Sequence, residues 1–170
     1  MIPSMSTAPL RETSYIVLGL LERLGQATPY DLKQLAQVST VNFWTVPHTQ
    51  IYTECGRLAE AGLLSEQRES SGRRRRLYEL TERGREALEA WRADPSGGMY
   101  ELRDVAILKL FFGAEPKPLA EDQVEQHRRR LAEYEELLVG LDQAPEGWRL
   151  ALELGIGHER EFIRFWSRHT

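Results

Sequence analysis

Residues 47–80 read PHTQIYTECGRLAEAGLLSEQRESSGRRRRLYEL, and this stretch decides the fold. Up to Gly62, the apolar side chains recur at the spacing of one helical face. They are Ile51, Cys55, Leu58 and Ala59. Two short extended runs follow, Leu63 to Glu69 and Arg74 to Leu80, separated by a turn sequence at 70–72. The stretch therefore predicts a helix that is followed at once by a β-hairpin.

Two further helices are predicted before this stretch and one after it. Residues 12–24 carry apolar side chains three and four positions apart, which is typical of a buried helix. Thr28 and Pro29 form a helix start, and that helix extends to Val38. Thr81 begins a helix that ends near Pro95, with Leu88 and Trp91 expected to point inward. Three helices, a hairpin and a helix are the order of a winged helix-turn-helix, whose third helix enters the DNA major groove.

The remainder of the chain is predicted to be helical. Ser96-Gly97-Gly98 resembles a linker, so we expect a division near Pro95. This gives an N-terminal tail at 1–12, a winged domain at 13–94 and a helical domain at 95–170. The helical domain is expected to contain helices at 101–112, from 124 onward and at 148–167. The predicted fold class is mainly α with a small β-hairpin.

A heptad pattern runs through the middle of the helical domain. Val124, Leu131 and Leu138 share one heptad position, and His127, Tyr134 and Leu141 share the other. Three heptads predict a helix seam, and we expect this seam to join two copies of the chain, because a two-fold protein reads two half-sites. The expected dimer residues are Val124, Leu131, Tyr134, Leu138 and Leu141. The alternative is a coiled-coil hairpin with the last helix of the same chain.

Charge is distributed unevenly along the chain. The net charge is −4, but the first 94 residues contain 12 basic and 12 acidic side chains, so residues 95–170 carry the whole deficit. Attraction to phosphate is screened beyond about 8 to 10 Å, so local clusters matter more than the total. The acidic total does not exclude DNA binding.

The polar face of the predicted third helix has side chains suited to DNA. Gln pairs with adenine, Arg pairs with guanine, and Thr offers a hydroxyl or a methyl group. We expect groove contacts from His48, Thr49, Gln50, Tyr52, Thr53 and Arg57. Gly56 on this face costs about 0.5 to 1 kcal/mol relative to Ala, and close approach of a DNA backbone would account for it. The alternative is an ordinary polar surface.

Four consecutive arginines occupy the predicted hairpin. Arg73, Arg74, Arg75 and Arg76 follow the turn directly and have no acidic residue among them. Arginines at a hairpin tip suit phosphate contacts or a narrow minor groove. We expect these four residues to bind DNA, and a solvated run of charge is the alternative.

Several segments resemble the PadR family of transcriptional regulators. They are Phe43 to Tyr52, Arg57-Leu58, Ala61 to Leu63, and Gly72 to Thr81 with Gly84. Residues 101–104 and 109–113 are similar to the start of the helical domain in the longer, virulence-activator-like branch. The resemblance implies a homodimer held by C-terminal helices, which binds a palindromic operator and most often represses transcription. Cys55-Gly56 departs from the family, whose members commonly carry a leucine or another helix-compatible pair there.

The sequence offers no catalytic or metal-binding cluster. Cys55 lies on an apolar helical face, where a thiol is inert, and the four histidines share no face. We therefore expect no enzyme, metal or cofactor. No apolar run is long enough to span a membrane and no signal peptide is evident, so a cytoplasmic location is expected.

Two other interpretations remain open at this point. Aromatic residues, namely Trp91, Trp148, Phe162 and Trp166, are compatible with a cavity for a small aromatic effector, although core packing is the alternative. A winged-helix module that binds an acidic protein through its arginines, without an operator, is the rival to DNA binding. Salt dependence and operator preference distinguish the two.

Overall fold

The computed structural model describes residues 9–68, 75–141 and 144–170. The chain divides into two compact units, Met1–Gly98 and Met99–Thr170. The division falls within the irregular segment 94–104, which contains the linker-like Ser96-Gly97-Gly98. The predicted class, mainly helical with a small β-structure, is confirmed.

The first unit contains four α-helices and three short strands in its described part. They are α1 (Glu12–Leu24), β1 (Gln26–Ala27), α2 (Pro29–Val38), α3 (His48–Glu60), β2 (Leu64–Arg68), β3 (Arg76–Leu80) and α4 (Glu82–Ala93). A single 3₁₀ turn, Thr40–Asn42, lies between α2 and α3. The predicted order of three helices, a hairpin and a fourth helix is therefore confirmed.

The strands form an antiparallel sheet with β3 in the middle. Tyr78 of β3 is paired with Ala27 of β1 on one side and with Glu66 of β2 on the other. Its ring is buried, and its hydroxyl donates a hydrogen bond of 2.9 Å to the Glu66 carboxylate. Strand β1 was not predicted, because two residues are too few to show an alternating pattern.

The core of this unit lies around α1, which packs against α2, α3, α4 and β3. Its largest fully buried side chains are Val17, Leu18, Leu21, Leu32, Ile51, Cys55, Leu58, Tyr78 and Leu88. Trp91 was expected to point inward, and this prediction is wrong. The Trp91 side chain is 48% exposed and stacks on Tyr15 of α1, with ring centroids 4.6 Å apart.

A close contact joins the end of α3 to the start of α4. The Thr81 hydroxyl donates to the Gly62 carbonyl at 2.8 Å and accepts the Gly84 amide hydrogen at 3.2 Å, which caps α4. A Cβ atom on Gly84 would overlap the carbonyl oxygen of Leu63. The Leu-Thr-x-x-Gly element at 80–84 thus combines a helix cap with a site where only glycine fits.

The second unit consists of α5 (Val105–Phe111), α6 (Pro116–Val139) and α7 (Glu146–Trp166) in the described ranges. Helix α5 begins later than residue 101, because the Asp104 carboxylate accepts the backbone N–H groups of Ala106 and Ile107 at 2.7 and 3.1 Å. Helix α6 begins at Pro116, well before the heptads become visible. Trp166 is fully buried in a core with Ala106, Ala120 and Val124.

The α6 seam is covered by α7 of the same chain. Val124 is buried in the core that contains Trp166, and the Tyr134 ring is buried against Gly155, where a Cβ atom would lie 2.9 Å from Tyr134 Cε2. His127 Nδ1 lies 2.6 Å from Glu159 Oε2.

The half-buried seam residues are Leu131, Leu138 and Leu141. Helices α6 and α7 thus pair as a hairpin within the chain, the alternative that the sequence left open, and the predicted dimer contacts stay predictions.

Substitution of Gly84 by Ala should destabilise the first unit by about 1 to 3 kcal/mol, because the added Cβ forces α4 away from the backbone of Leu63. Urea denaturation followed by circular dichroism would measure the destabilisation. Gly19→Ala in α1 is the control, since a Cβ there meets nothing within 4 Å and should be neutral or stabilising. Equal stability of the two variants would contradict the assigned role of Gly84.

Candidate nucleic-acid interface

Helix α3 presents an exposed polar face opposite the core. Ile51, Cys55 and Leu58 are buried and fix the rotation of the helix about its axis. The predicted groove residues His48, Thr49, Gln50, Tyr52 and Thr53 are all exposed, and residues 48–53 contain no carboxylate. The structure therefore brings these five predicted residues together in the first two turns of α3.

The geometry of Thr53 limits what it can offer to DNA. Its hydroxyl donates to the Thr49 carbonyl at 2.9 Å, one turn back in the same helix. The hydroxyl hydrogen is therefore in use, and the oxygen lone pairs and the methyl group remain outward. This side chain can accept a hydrogen bond or contact a thymine methyl group.

Arg57 is placed differently from the sequence expectation. Its Nε donates to Glu54 Oε2 at 3.0 Å, and its Nη2 donates to Glu54 Oε1 at 2.6 Å. The same Nη2 also donates to the Ser14 hydroxyl of α1 at 3.0 Å. The guanidinium is therefore turned toward α1, and the predicted base contact of Arg57 stays a prediction.

Ser14 and Glu54 are the site residues that the sequence analysis missed. Ser14 is fully buried, and its hydroxyl donates to Glu54 Oε1 at 2.5 Å while accepting the Arg11 amide hydrogen at 2.9 Å. Burial opposes ionisation of Glu54, but the hydrogen bonds from Arg57 and Ser14 outweigh it and lower the pKa of the carboxyl. The bond to Glu54 likewise raises the pKa of Arg57. Both groups are charged, and they link α1 to α3.

The four arginines of the hairpin, Arg73 to Arg76, form the wing, and they are only partly within the described residues. Arg73 and Arg74 lie outside them, so their predicted contacts stay predictions. Arg75 and Arg76 are exposed at the start of β3. Arg76 Nη1 lies 3.7 Å from Glu66 Oε2, a carboxylate that also accepts hydrogen bonds from Arg68 and Tyr78. Because Glu66 is shared among three donors, it holds Arg76 only loosely.

The Cys55-Gly56 pair has two separate explanations. Cys55 is fully buried, and burial raises the pKa of its thiol to about 12, so the thiol is protonated at neutral pH and fills a core position. Gly56 is different, because a Cβ atom there would meet nothing within 4 Å. Packing inside the folded protein therefore gives no reason for glycine at this position.

Neither a metal cluster nor a membrane helix occurs among the described residues. No three His, Cys, Asp or Glu side chains in 9–68, 75–141 and 144–170 are grouped so that they could hold a metal ion. Over the same ranges, no helix is both long and apolar enough to cross a membrane.

The described fold and the exposed face of α3 define the class: a winged helix-turn-helix followed by a helical C-terminal unit. Residues 17–90 match the transcriptional regulator PadR-like family, and residues 102–169 match the virulence activator α C-terminal family. The chain belongs to the PadR-like family of transcriptional regulators.

Similar proteins cover almost the whole chain. The negative transcriptional regulator PadR of Bacillus subtilis is 25% identical over an alignment that covers 91% of this chain and 93% of the relative. The crystal structure of Bacillus subtilis PadR in complex with operator DNA superposes with a TM-score of 0.80 at 24% identity, and covers 95% and 97% of the two chains. The structure of the same regulator with p-coumaric acid gives a TM-score of 0.78 at 23% identity, over 93% and 96%.

Proposed function

We propose that this protein is a repressor that binds a palindromic operator as a homodimer. The observation that carries the proposal is the exposed polar face on the first two turns of α3, and the exposed Arg75 and Arg76 at the start of β3 support it. The relative from Bacillus subtilis, a negative regulator crystallised with operator DNA, supports the same function. The proposed DNA-binding domain is 13–94, and the proposed dimerisation domain is 95–170.

Base reading is assigned to uncharged side chains of α3. Gln50 is exposed and can pair through two hydrogen bonds with adenine. Thr49 and Thr53 lie on the same face and supply a hydroxyl and a methyl contact. His48 and Tyr52 flank this set and contact the DNA backbone. Each good pair with a base discriminates by about 1 to 3 kcal/mol.

Affinity that does not depend on sequence is assigned to the wing. Arg73 to Arg76 are four consecutive positive charges in the sequence, and Arg75 and Arg76 are exposed at the start of β3. Arginine contacts to phosphate release counterions and position the protein without reading bases. The wing therefore holds the backbone while α3 reads the groove.

The dimer contact is reassigned to the apolar surface that α6 and α7 leave uncovered. On α7, Gly147, Leu150, Leu154 and Gly157 follow a heptad spacing on the side away from α6, and both leucines are exposed. On α5, Phe111 is 82% exposed, and Phe112 directly follows it. Exposed apolar area of this kind marks an interaction surface, and we propose a second copy of this chain as the partner.

A small aromatic effector is part of the proposal. The relative crystallised with p-coumaric acid supports it. Of the aromatic residues that the sequence suggested for an effector cavity, Trp166 is fully buried in the core of the second unit, and Phe162 packs against that core and on His127, with ring centroids 4.7 Å apart. A groove of about 480 Å³ is lined by other residues, among them Leu138, Leu141 and Arg149. We therefore assign no residue to the effector.

The operator proposal predicts two different mutant phenotypes. Binding of a labelled palindromic duplex should weaken steeply with salt. Replacing Arg73 to Arg76 by Gln should weaken binding to every sequence and reduce the salt slope by about 0.9 for each arginine that no longer binds a phosphate. Gln50→Ala should leave the slope unchanged and relax preference at particular base pairs, by about 1 to 3 kcal/mol each.

Fluorescence anisotropy between 50 and 300 mM KCl measures both effects. Lys117→Gln is the control for the wing, because it removes a positive charge from α6. The rival interpretation, a module that binds an acidic protein, predicts no preference for a palindrome over a random duplex. That result would overturn the operator proposal.

The dimer proposal predicts that Leu154→Glu converts the protein to a monomer, because it places a charge within the exposed apolar stripe of α7. Sedimentation velocity should show twice the mass of the chain for the unmodified protein and the single-chain mass for the variant. Ala132→Glu is the matched control on an exposed position of α6 and should remain dimeric. A dimer that survives Leu154→Glu would place the interface elsewhere.

The effector proposal predicts that a phenolic acid releases the labelled operator. Quenching of the fluorescence of the four tryptophans should follow the same concentration dependence. A non-aromatic carboxylic acid of similar size is the control and should have no effect. Operator binding that is unchanged at millimolar phenolic acid would contradict effector control by this class of compound.

A further inference from the structure

We infer that Glu54 is a positioning residue of the DNA interface, which limits non-specific affinity by keeping Arg57 away from DNA phosphates. The inference rests on the proposed operator binding and assigns a role to residues that do not read bases. It concerns the polar cluster Ser14, Glu54 and Arg57 between α1 and α3.

Arg57 occupies a position from which it could reach DNA. It is the one Lys or Arg in the α3 sequence 48–60. It lies seven residues, or about two turns, after Gln50, so both start from the same flank of the helix. A free guanidinium there would extend along the surface that Gln50 presents to the groove.

The observed contacts hold the Arg57 guanidinium against Glu54 and Ser14, away from the outward surface of α3. Glu54 binds it through both carboxylate oxygens, at 2.6 and 3.0 Å, and Ser14 accepts a third hydrogen bond at 3.0 Å. The Glu54 side chain is only 14% exposed, while that of Arg57 is 31% exposed. Release of Arg57 to a phosphate would leave a largely buried carboxylate without its cation, which is strongly unfavourable. The arginine therefore stays with Glu54.

The consequence for recognition follows from the nature of phosphate contacts. Such contacts strengthen binding to all sequences equally and dominate non-specific affinity. An additional free arginine beside the groove would raise affinity for random DNA without improving discrimination. By holding Arg57, Glu54 leaves the outward face of the first turns of α3 to the uncharged residues that distinguish bases.

The test is Glu54→Gln, which keeps an acceptor for Ser14 and Arg57 but removes the negative charge. Anisotropy titrations against a random duplex and a palindromic duplex, between 50 and 300 mM KCl, give affinity and salt slope. We expect Glu54→Gln to bind random DNA several-fold more tightly, with a slope steeper by about 0.9 for each arginine released. The ratio of operator to random affinity should stay nearly constant, because the added phosphate contact strengthens both complexes equally.

A double-mutant cycle separates release of Arg57 from simple relief of repulsion. Adding Arg57→Gln to Glu54→Gln should restore the original slope, whereas Arg57→Gln alone should leave the slope unchanged. Glu60→Gln, at the end of the same helix, removes the same charge without freeing Arg57 and should leave the slope unchanged. Ser14→Ala is a second test, which removes one hydrogen bond from Arg57 at constant charge and should shift the slope in the same direction by less.

Specific results would overturn the inference. One is an equal slope for Glu54→Gln and the double variant, because the effect would then not pass through Arg57. Another is a reduced slope for Arg57→Gln alone, because Arg57 would then already contact phosphate. Thermal melts of all variants exclude unfolding as the cause. A protein that shows no preference for a palindrome, but still shows the Arg57-dependent slope on random DNA, would contradict the operator proposal and leave the masking of Arg57 intact.

Discussion

Packing of α3 against α1 is the contact on which the DNA-facing surface depends. Val17, Leu18 and Leu21 of α1 share one core with Ile51 and Cys55 of α3, all fully or almost fully buried. Helix side chains interlock only at certain rotations, so this contact fixes which residues of α3 point outward. The polar cluster of Ser14 and Glu54 lies on the same pair of helices. Because a buried hydroxyl and a buried charge are costly unless fully bonded, that cluster favours one alignment of the two helices.

Local patterns were sufficient to predict most of the winged unit. The helix at 12–24, the proline-started helix at 29–38 and the cap at Thr81 each depend on residues close in sequence, and each is present in the structure. Strand β1 was missed because its pairing partner, β3, is about fifty residues away and two residues show no period of their own. Trp91 was misplaced for a related reason, since the helical period could not show that Tyr15 offers it a surface stacking contact.

In the candidate site, too, the sequence could not predict contacts between residues that are far apart along the chain. A helical wheel placed Arg57 among the outward residues, and its position along the helix was predicted correctly. The wheel contains no information about α1, so it could not show that Ser14 and Glu54 take up the guanidinium. Heptads have a comparable limit, because they record that a face is covered and not which chain covers it. In the structure the Tyr134 ring of α6 lies against Gly155, which is on α7 of the same chain, and no pattern within α6 shows that partner.

The separation of charge from base reading has a physical consequence for the proposed regulator. Phosphate attraction depends on salt, whereas hydrogen bonds to base edges depend on it much less. In the proposed arrangement the positive charge is in the wing, and residues 48–53 of α3 contain no Lys, Arg, Asp or Glu. A change in salt concentration then alters the affinity for every DNA sequence and leaves the preference between sequences nearly constant. Residues 95–170 carry the whole net negative charge, so attraction to phosphate is left to the basic residues of 1–94. A net charge of −4 is therefore compatible with DNA recognition, since Arg73 to Arg76 are consecutive in the sequence and salt screens the attraction to phosphate only beyond about 8 to 10 Å.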